Sequence, residues 1–414
     1  MKKANLVTIP TLVESPFIIA TIGGYTFGSC NNAQYAGSGI ATKVDFPDYM
    51  KSLNITKVNG TVNTYTLTFS YQVAYGEDPN KLDKIFSRAA VDRKITLSYG
   101  DWNAPSYIYK EETGIITSVT STLNLSNSSI DYSLNCTSDA IGLTSSTFTF
   151  PAKTAKPSDV LKDMVSNVRY GLSEVFTGMQ DLDNVLSGDL IASNDKTIKI
   201  PAQRGVTPLE YMNYLVNSMV DVNDNNGSEL GNSKYFLSVH DDVTNDYGGT
   251  YFKVSEVGQS AEQSSSADTY ELDVNFPSDN FITQFNVNND QSWSILYEYS
   301  QDVAKQNYSY KLNNEGKLVT TEAPSLIRSA TGKISNSERN WWSLMTAFPI
   351  TATLTMKGLT RPSLLMSYVK LNVWFHGGQK HISSGLYVIT KQQDTIDSSG
   401  YKTTLTLLRV GEDT

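Results

Sequence analysis

Polar and apolar residues alternate along several stretches of the first third of the chain. Thr61–Val73 (TVNTYTLTFSYQV) and Ile130–Cys136 (IDYSLNC) have a period of two, which predicts strands that are buried on one face. Lys94–Tyr99 is a third predicted strand, and Lys81–Ala90 is a short predicted helix after a turn. These elements predict a β domain over residues 1–155.

The period lengthens to three and four in the middle of the chain. Ser158 and Asp159 precede apolar residues at helical spacing, and Thr207–Glu210 (TPLE) has the spacing of a capping box with proline at the first helical position. Strand-like runs follow, among them Lys234–Val239, Thr250–Val254 and Ser292–Tyr299, and Asn336–Phe348 is a predicted helix ended by Pro349. Residues 156–347 are therefore predicted to form an α+β region, with a subdomain boundary near residue 231.

The last part of the chain returns to strands, predicted at Ile350–Met356, Tyr368–Phe375, Leu386–Lys391 and Tyr401–Arg409. It is weakly similar to the first part. Thr113–Ile116 precedes a Ser128-Ser129 turn as Ser384–Tyr387 precedes Ser398-Ser399. A duplication would explain this similarity, although a hairpin-rich sandwich could produce it by accident. The predicted fold class is α+β and β-rich, with two similar small β-barrels (1–155 and 348–414) flanking the middle region.

Composition and charge exclude several function classes. The chain has 414 residues, 18% of them charged, and a net charge of −9, which argues against a nucleic-acid binder with a basic face. Counted along the sequence, residues 1–155 have net charge 0, residues 156–347 have −12 and residues 348–414 have +3. The acidic excess therefore belongs to the middle region.

The chain termini and hydropathy predict a protein with no stable membrane insertion. Met1-Lys2-Lys3 resembles the start of a signal peptide, but Pro10, Glu14 and Pro16 interrupt the following run. We therefore interpret the N-terminus as mature protein. No stretch reaches about 18 consecutive apolar residues.

Candidate metal and catalytic groups are few. His376 and His381 flank a Gly-Gly turn, and His240 is distant in sequence, so we interpret all three as surface or turn histidines. The segment Asp221–Gly227 resembles a calcium-binding loop in composition. An EF-hand loop starting at Asp221 needs glycine at its sixth position and glutamate at its twelfth, where this chain has Asn226 and Asn232. Cys30 and Cys136 are too few for a disulfide framework or a cysteine-rich zinc site.

The adjacent carboxylates Glu111-Glu112 and Asp241-Asp242 are the remaining candidates for acid–base chemistry. Neighbours on a strand point to opposite faces, so we interpret both pairs as solvated turns. No phosphate loop, dinucleotide-binding motif or nucleophile elbow is present. The sequence thus predicts no catalytic, cofactor-binding or metal-binding residue, and a protein that is not an enzyme.

The last 65 residues resemble a known family. Ala352–Gly358, Arg361–Leu364, Ser384–Ile389 and Ser398–Arg409 are similar to the C-terminal barrel of baseplate hub proteins from contractile-tailed phages and related injection machines. The chain departs from that family at Lys391-Gln392-Gln393, where a histidine is common, and near Met366-Ser367, where a glycine is common.

This resemblance implies a structural virion protein. A homotrimer with two barrels in each subunit would present six similar units, and so join a six-fold tail tube to a three-fold central spike. The implied partners are the tail tube protein, the central spike or tail lysozyme, the tape measure protein and baseplate wedge proteins, with DNA only in transit. The implied location is the tail baseplate of a virion, assembled in the host cytoplasm. No cofactor is implied.

In a hub, the acidic middle, including Asp241, Asp242 and Asp246, would line a passage for DNA.

Three alternatives to the hub remain open at the level of sequence. A receptor-binding adhesin would instead use exposed aromatic residues such as Trp102, Trp293 and the Trp341-Trp342 pair. A distal-tail or tube-initiating ring protein would form hexamers, and a cell-wall hydrolase would need an acid/base pair.

Overall fold

The computed structural model describes residues 6–8, 15–30, 44–92, 94–101, 110–166, 186–188, 195–219, 234–241, 250–257, 269–274, 282–289, 309–312, 318–321, 350–358, 364–375 and 378–412. Residues 1–137 contain eight of the described strands: β1 (Leu6–Thr8), β2 (Pro16–Ile22), β3 (Tyr25–Gly28), β4 (Met50–Val58), β5 (Thr64–Gln72), β6 (Lys94–Asp101), β7 (Lys110–Asn124) and β8 (Ser129–Thr137). Helix α1 (Lys81–Asp92) lies between β5 and β6, and a 3-10 helix (Asp139–Thr144) follows β8.

The middle of the chain mixes helices and strands. Its helices are α2 (Pro157–Ser166) and α3 (Pro208–Asn217). The described strands from Phe148 to Thr321 are β9 (Phe148–Phe150), β10 (Lys153–Ala155), β11 (Leu186–Gly188), β12 (Ile198–Ile200), β13 (Gln203–Val206), β14 (Lys234–His240), β15 (Tyr251–Val257), β16 (Thr269–Val274), β17 (Ile282–Asn289), β18 (Ser309–Leu312) and β19 (Leu318–Thr321). The last part contains β20 (Ile350–Lys357), β21 (Tyr368–Phe375), β22 (Gln379–Lys380), β23 (Gly385–Asp397) and β24 (Gly400–Glu412).

The predicted strands and helices that fall within these residues are confirmed, with small differences in their bounds. The capping box at the start of α3 is also present, since Thr207 Oγ1 accepts a hydrogen bond from Glu210 N and Glu210 Oε2 accepts one from Thr207 N. Several predictions lie outside the described residues, namely those for Asp221–Gly227, Ser292–Tyr299, Asn336–Phe348 and the four tryptophans considered for an adhesin.

A fifteen-stranded sheet forms the framework of the described chain. Its neighbouring strands follow the order β3-β2-β6-β7-β8-β5-β4-β23-β24-β20-β17. A branch leaves this path at the start of β23, which pairs with β21, and β16 and β1 follow beyond β21. The β-rich prediction is therefore confirmed. The ladders of the described residues form an open, branched sheet and close no barrel, because β23 exchanges its neighbour from β21 to β4 along its length.

Two groups of five strands within this sheet have the same neighbour order. We call them the N-terminal unit (β6-β7-β8-β5-β4) and the C-terminal unit (β21-β23-β24-β20-β17). The pairing register is also the same: Leu53, Leu67 and Leu134 are successive partners across one unit, as Phe285, Leu354 and Leu405 are across the other. Residues that occupy the same ladder position in the two units are called counterparts below.

The irregularities of the two units coincide as well. The ladder skips Thr117 in β7 and its counterpart Thr390 in β23, and each threonine donates its hydroxyl proton to a carbonyl of the partner strand, Asn135 O and Thr406 O. The first strand of each unit skips one residue after Met50 and after its counterpart Ile282. Such bulges are specific features of a sheet, so their repetition indicates one five-strand pattern used twice.

The hairpin formed by β23 and β24 contributes to the cores of both units. Tyr387 and Leu405 pack in the C-terminal core with residues of β20 and β21. Ile396 and Tyr401, at the other end of the hairpin, pack in the N-terminal core. A third core forms around α2, α3, β14 and β15.

Candidate functional site

The two units meet where β23 pairs with β4, a contact that we call the internal joint. Six consecutive pairs form it, from Leu53–Ile396 to Val58–Lys391. Leu53, Ile55 and Lys57 share the inner face of β4, and all three are 0% exposed. A lysine thus occupies a position that alternation predicts to be apolar.

An ion pair satisfies this lysine inside the protein. Lys57 Nζ lies 2.7 Å from Glu112 Oε1, and both side chains are 0% exposed. The hydroxyl of Tyr99 donates a second hydrogen bond to the same carboxylate oxygen. Because a buried charge without a partner is costly, these contacts allow Glu112 and Lys57 to remain in the core.

Tyr65 links this ion pair to a second buried carboxylate. Its hydroxyl oxygen lies 3.0 Å from Glu112 Oε2 and 2.9 Å from Asp241 Oδ2. Asp241 follows β14, so the contact ties the middle region to the N-terminal unit. Burial raises the pKa of Tyr65, and the charges of Asp241 and Glu112 raise it further. Tyr65 therefore remains a neutral hydroxyl.

Four neutral polar side chains contact the Asp241 carboxyl group. Ser138 and Thr250 each donate a hydroxyl hydrogen bond of 2.6 Å to Oδ1, and Asn63 Nδ2 lies 2.6 Å from Oδ2 beside Tyr65. Burial raises the pKa of Asp241 to about 6, although these hydrogen bonds lower it. Asp241 is thus a carboxyl group that protonates well above the usual range for aspartate.

Counting protons explains how the two carboxylates share Tyr65. A tyrosine hydroxyl has a single proton, so it donates to only one of Glu112 and Asp241. The other contact is a hydrogen bond only when that carboxyl is itself protonated. When Asp241 is protonated and donates to the Tyr65 oxygen, the Tyr65 hydroxyl donates to Glu112, and both contacts are hydrogen bonds.

A third carboxylate lies on the opposite side of the internal joint. Asp394 is 0% exposed, accepts hydrogen bonds from Thr403 Oγ1 and from Gln392 Nε2 (2.7 Å), and points to the same face as Gln392. Gln392 is the cross-strand partner of Lys57. Asp394 is therefore the diagonal neighbour of Lys57 across the joint, at a separation that long side chains can span.

Three sequence-based interpretations are wrong at this site. Glu112 lies within β7 and Asp241 is 0% exposed, so neither belongs to a solvated turn. Because Asp241 faces this network, it does not line a passage. His240 is also buried: its Nε2 lies 2.8 Å from Ser238 Oγ and its ring stacks on Tyr251. For Glu112 and Asp241 the physical reason is that strands distant in the sequence supply their partners, whereas His240 is covered by Tyr251, its partner on the adjacent strand β15.

The other candidate residues are placed as follows. His381 is exposed after β22, as predicted, and Nδ1 lies 2.7 Å from Ser383 Oγ. His376, Asp242 and Asp246 lie outside the described residues. In the part of the chain that the structure describes, no group of three or more His, Cys, Asp or Glu side chains is arranged to hold a metal ion. The described helices include none of the length and apolarity needed to cross a membrane.

Comparison with solved structures identifies the fold. No protein-family model and no curated protein sequence matches the chain. The 43 kDa tail protein of prophage MuSo2 from Shewanella oneidensis has a TM-score of 0.51 at 10% identity, and covers 96% of this chain and 97% of its own. The tail protein of Neisseria meningitidis MC58 has a TM-score of 0.50 at 12% identity, with coverages of 95% and 97%.

The fold is that of these tail proteins. The resemblance to tail hub proteins noted in the last 65 residues agrees with this, and the likeness of fold extends over almost the whole chain. The most distinctive features of the described chain are then the repeated five-strand unit and the buried network at the internal joint.

Proposed function

We propose that this chain is the subunit of a homotrimeric baseplate hub. In that role it joins a six-fold tail tube to a three-fold central spike and surrounds the channel through which the genome is ejected. The fold shared with tail proteins supports a structural role in a tail. The observation that carries the finer proposal is the repetition of one five-strand unit in a single chain with the same register and bulges.

The repetition supports a symmetry adaptor for a simple geometric reason. A ring of three chains with two similar units each presents six similar surfaces at one end, while the rest of each chain keeps three-fold symmetry. A ring protein with one such unit would need six chains. Two units per chain therefore favour the hub over the tube-initiating ring protein.

The ends of the sheet supply the edges that such a ring needs. The strands β7-β8-β5-β4-β23-β24-β20-β17 form one continuous antiparallel run. Within the described residues, β7 has no ladder partner on its outer edge beyond Ile115, and β17 has none on the edge away from β20. Neither edge segment contains a charged residue or a proline, which are the usual protections of an exposed edge.

The internal joint supplies a template for the contact between subunits. β7 is the counterpart of β23, and β17 is the counterpart of β4. Applying the register of the internal joint pairs Leu123 of one subunit with Phe285 of the next, as Ile396 pairs with Leu53. Leu123 and Val287 are 66% and 40% exposed, whereas their partners within the chain, Ile130 and Ala352, are buried. Pairing would cover both exposed residues.

The partners of such a hub are the tail tube protein, the central spike or tail lysozyme, the tape measure protein and the baseplate wedge proteins. DNA would pass through without stable binding. We place the assembled protein in the virion baseplate, after assembly in the host cytoplasm. The proposed role is non-enzymatic.

Light scattering on the purified chain tests the proposal. A hub should give a mass of about three times 45.7 kDa, alone or after addition of its spike partner. A hexamer would favour the tube-initiating ring protein instead. A chain that remains monomeric at every concentration and with the spike partner present would contradict the hub.

A further inference from the structure

The middle region meets the N-terminal unit around the turn between β4 and β5. Gly60 N donates a hydrogen bond to Leu237 O of β14 (2.8 Å), and Asn213 Nδ2 of α3 donates one to Gly60 O (2.7 Å). Thr113 N of β7 donates to Asp241 O (3.2 Å), directly after β14. These bonds involve groups that do not titrate, and Asp241 adds an ionisable side chain to them.

The side chain of Asp241 crosses this contact and reaches Tyr65 of β5. The Tyr65 hydroxyl oxygen lies 2.9 Å from Asp241 Oδ2 and 3.0 Å from Glu112 Oε2, and both separations are within the range of O–H···O hydrogen bonds. Two such bonds need two protons, of which tyrosine supplies one. Without a second proton, two oxygen atoms that have only lone pairs to offer would face each other in the core. The geometry at Tyr65 therefore requires a proton on one of the two carboxyl groups.

The surroundings of the two carboxyl groups assign this second proton to Asp241. Glu112 lies 2.7 Å from Lys57 Nζ and also accepts a hydrogen bond from Tyr99, so its charged form has a cation beside it. The described contacts of the Asp241 carboxyl group are all with uncharged side chains, namely Ser138, Thr250, Asn63 and Tyr65. Asp241 is 0% exposed, and a buried carboxylate without a cation is unfavourable. Protonation of Asp241 removes that charge and completes both hydrogen bonds at Tyr65.

Other ionisable groups surround the contact. They are Lys57 of β4, Tyr65 of β5, Tyr99 of β6, Glu112 of β7, Asp139 beside Ser138, His240 of β14, Lys253 of β15 and, next to Tyr99, Asp394 and Tyr401. Burial lowers the pKa of His240 to about 3, with the charges of Lys253 and Lys57 acting in the same direction, so His240 stays neutral from pH 5 to 7.5. Burial raises the pKa of Tyr65 and Tyr99, which stay protonated over this range. Burial also raises the pKa of Asp139, whose titration must be separated from that of Asp241.

We propose that the second proton at Tyr65 makes this contact a pH-dependent clamp, closed when Asp241 is protonated and loosened when that proton is lost. The clamp holds β14 and α3 of the middle region against β4, β5 and β7 of the N-terminal unit. It depends on the fold of one chain and not on the proposed ring. Burial raises the pKa of Asp241 to about 6, above the 3.8 of a free aspartate. Closure is therefore favoured most below about pH 4, and this preference is lost as pH rises through 6.

Hydrogen exchange of single backbone amides at pH 5 and pH 7.5, corrected for intrinsic exchange rates, tests the clamp. The reporter amides are those of Gly60 and Thr113, which bond across the contact. Their protection should fall about tenfold between the two pH values, the change expected for a carboxyl group with a pKa of about 6 in the closed state and 3.8 when solvated. The Ser70 amide in the N-terminal unit and the Ser218 amide at the end of α3 bond within their own regions. Both should keep their protection.

Two substitutions should remove this pH dependence by different routes. Asp241→Asn provides a donor to Tyr65 at every pH, because an amide group replaces the protonated carboxyl group. Glu112→Gln supplies the second proton from the other side, since its amide donates to Tyr65 and the Tyr65 hydroxyl then donates to ionised Asp241. In both variants the reporter amides should be about equally protected at the two pH values. Asp139→Asn, at the other carboxyl group whose pKa burial raises, is the matched control and should keep the change seen in the parent.

Each outcome supports or overturns the clamp. Equal protection of the reporter amides at both pH values in the parent would overturn it, as would an equal loss at the Ser70 and Ser218 amides, which would indicate general unfolding. Loss of the pH dependence in Asp139→Asn would assign the titration to Asp139 instead. If Glu112→Gln lowers protection by the same factor at both pH values and keeps the tenfold change, Glu112 only holds Lys57 and no proton is shared at Tyr65. Circular dichroism identifies the folded variants, and Glu112→Gln decides the question if Asp241→Asn does not fold.

Discussion

Lys57 and Glu112 form a fully buried ion pair, with Nζ and Oε1 2.7 Å apart, between strands that are 55 residues apart in the sequence. The pair lies where the N-terminal unit, the middle region and the C-terminal hairpin meet. Substituting Lys57 therefore tests whether the buried network stabilises the contact between these three parts.

Lys57→Met should lower the free energy of unfolding by about 3–5 kcal/mol, because it leaves the Glu112 carboxylate buried without a cation. Chemical denaturation monitored by circular dichroism measures the change. The exposed pair Lys84–Asp78, with side chains 69% and 44% exposed, supplies the control. Lys84→Met should cost no more than about 1 kcal/mol. Equal effects of the two substitutions would show that the network contributes nothing special.

Tyr401 gives a second, steric prediction. A Cβ atom added to Gly358 would lie 2.2 Å from Cγ of the Tyr401 ring, which is buried in the N-terminal core. Gly358→Ala should therefore displace the hairpin end and lower the free energy of unfolding by about 1–3 kcal/mol. Lys357→Ala, at the exposed neighbouring position, is the control and should change stability little. Full stability of Gly358→Ala would show that the Tyr401 ring has another position available.

The sequence predicted much of the local structure but little of the network. Alternation located the strands because each has one buried face. The threonines at alternate positions around Leu67 and Leu354 (TYTLT and TATLT) occupy identical ladder positions and were the better signal of repetition. The register of the two hairpins matches Gly114 with Tyr387, not with Gly385.

The candidate site was missed because its members are distant in the chain. The one available signal was the position of each charge along its strand. Lys57 is two residues from the buried Ile55, and Glu112 is four residues from the buried Ile116, so both alternate onto the buried face. A charge at an inward position of a strand requires a buried partner. Which partner it finds depends on the sheet order, and the sequence does not contain that information in any local pattern.

Asp241 should make stability depend on pH in a direction opposite to that of most aspartates. Its pKa is raised to about 6 by burial, above the 3.8 of a free aspartate, so between about pH 4 and 6 the folded chain binds a proton that the unfolded chain has lost. Its contribution is therefore present below pH 4 and is lost as pH rises through 6. In Asp241→Asn this loss should vanish, so that stability relative to the parent increases from pH 4 to 6.

His240 acts in the opposite direction over an overlapping range. Burial, with the charges of Lys253 and Lys57, lowers its pKa to about 3. The unfolded chain then binds the extra proton, and the contribution of neutral His240 is lost as pH falls from 6.5 towards 3. His240→Gln should reduce acid sensitivity, while Asp241→Asn should increase it. Denaturation curves at several pH values distinguish the two, and identical pH profiles for both variants would contradict the assignment.

The exposed inner face of β7 leads to a prediction about assembly. Leu123→Asp places a charge where the register of the internal joint expects an apolar contact with Phe285 of the next subunit, and a buried charge without a partner opposes association. The variant should therefore have the mass of a monomer in light scattering at concentrations where the parent assembles.

Leu125 lies just beyond β7 and is 88% exposed, so Leu125→Asp is a matched control for added charge and lost apolar surface. Since Leu123 is itself 66% exposed, the melting temperature of the monomer should change little. Assembly of Leu123→Asp as complete as that of Leu125→Asp would show that β7 does not face a second copy, and the contact between subunits would have to be sought on another surface.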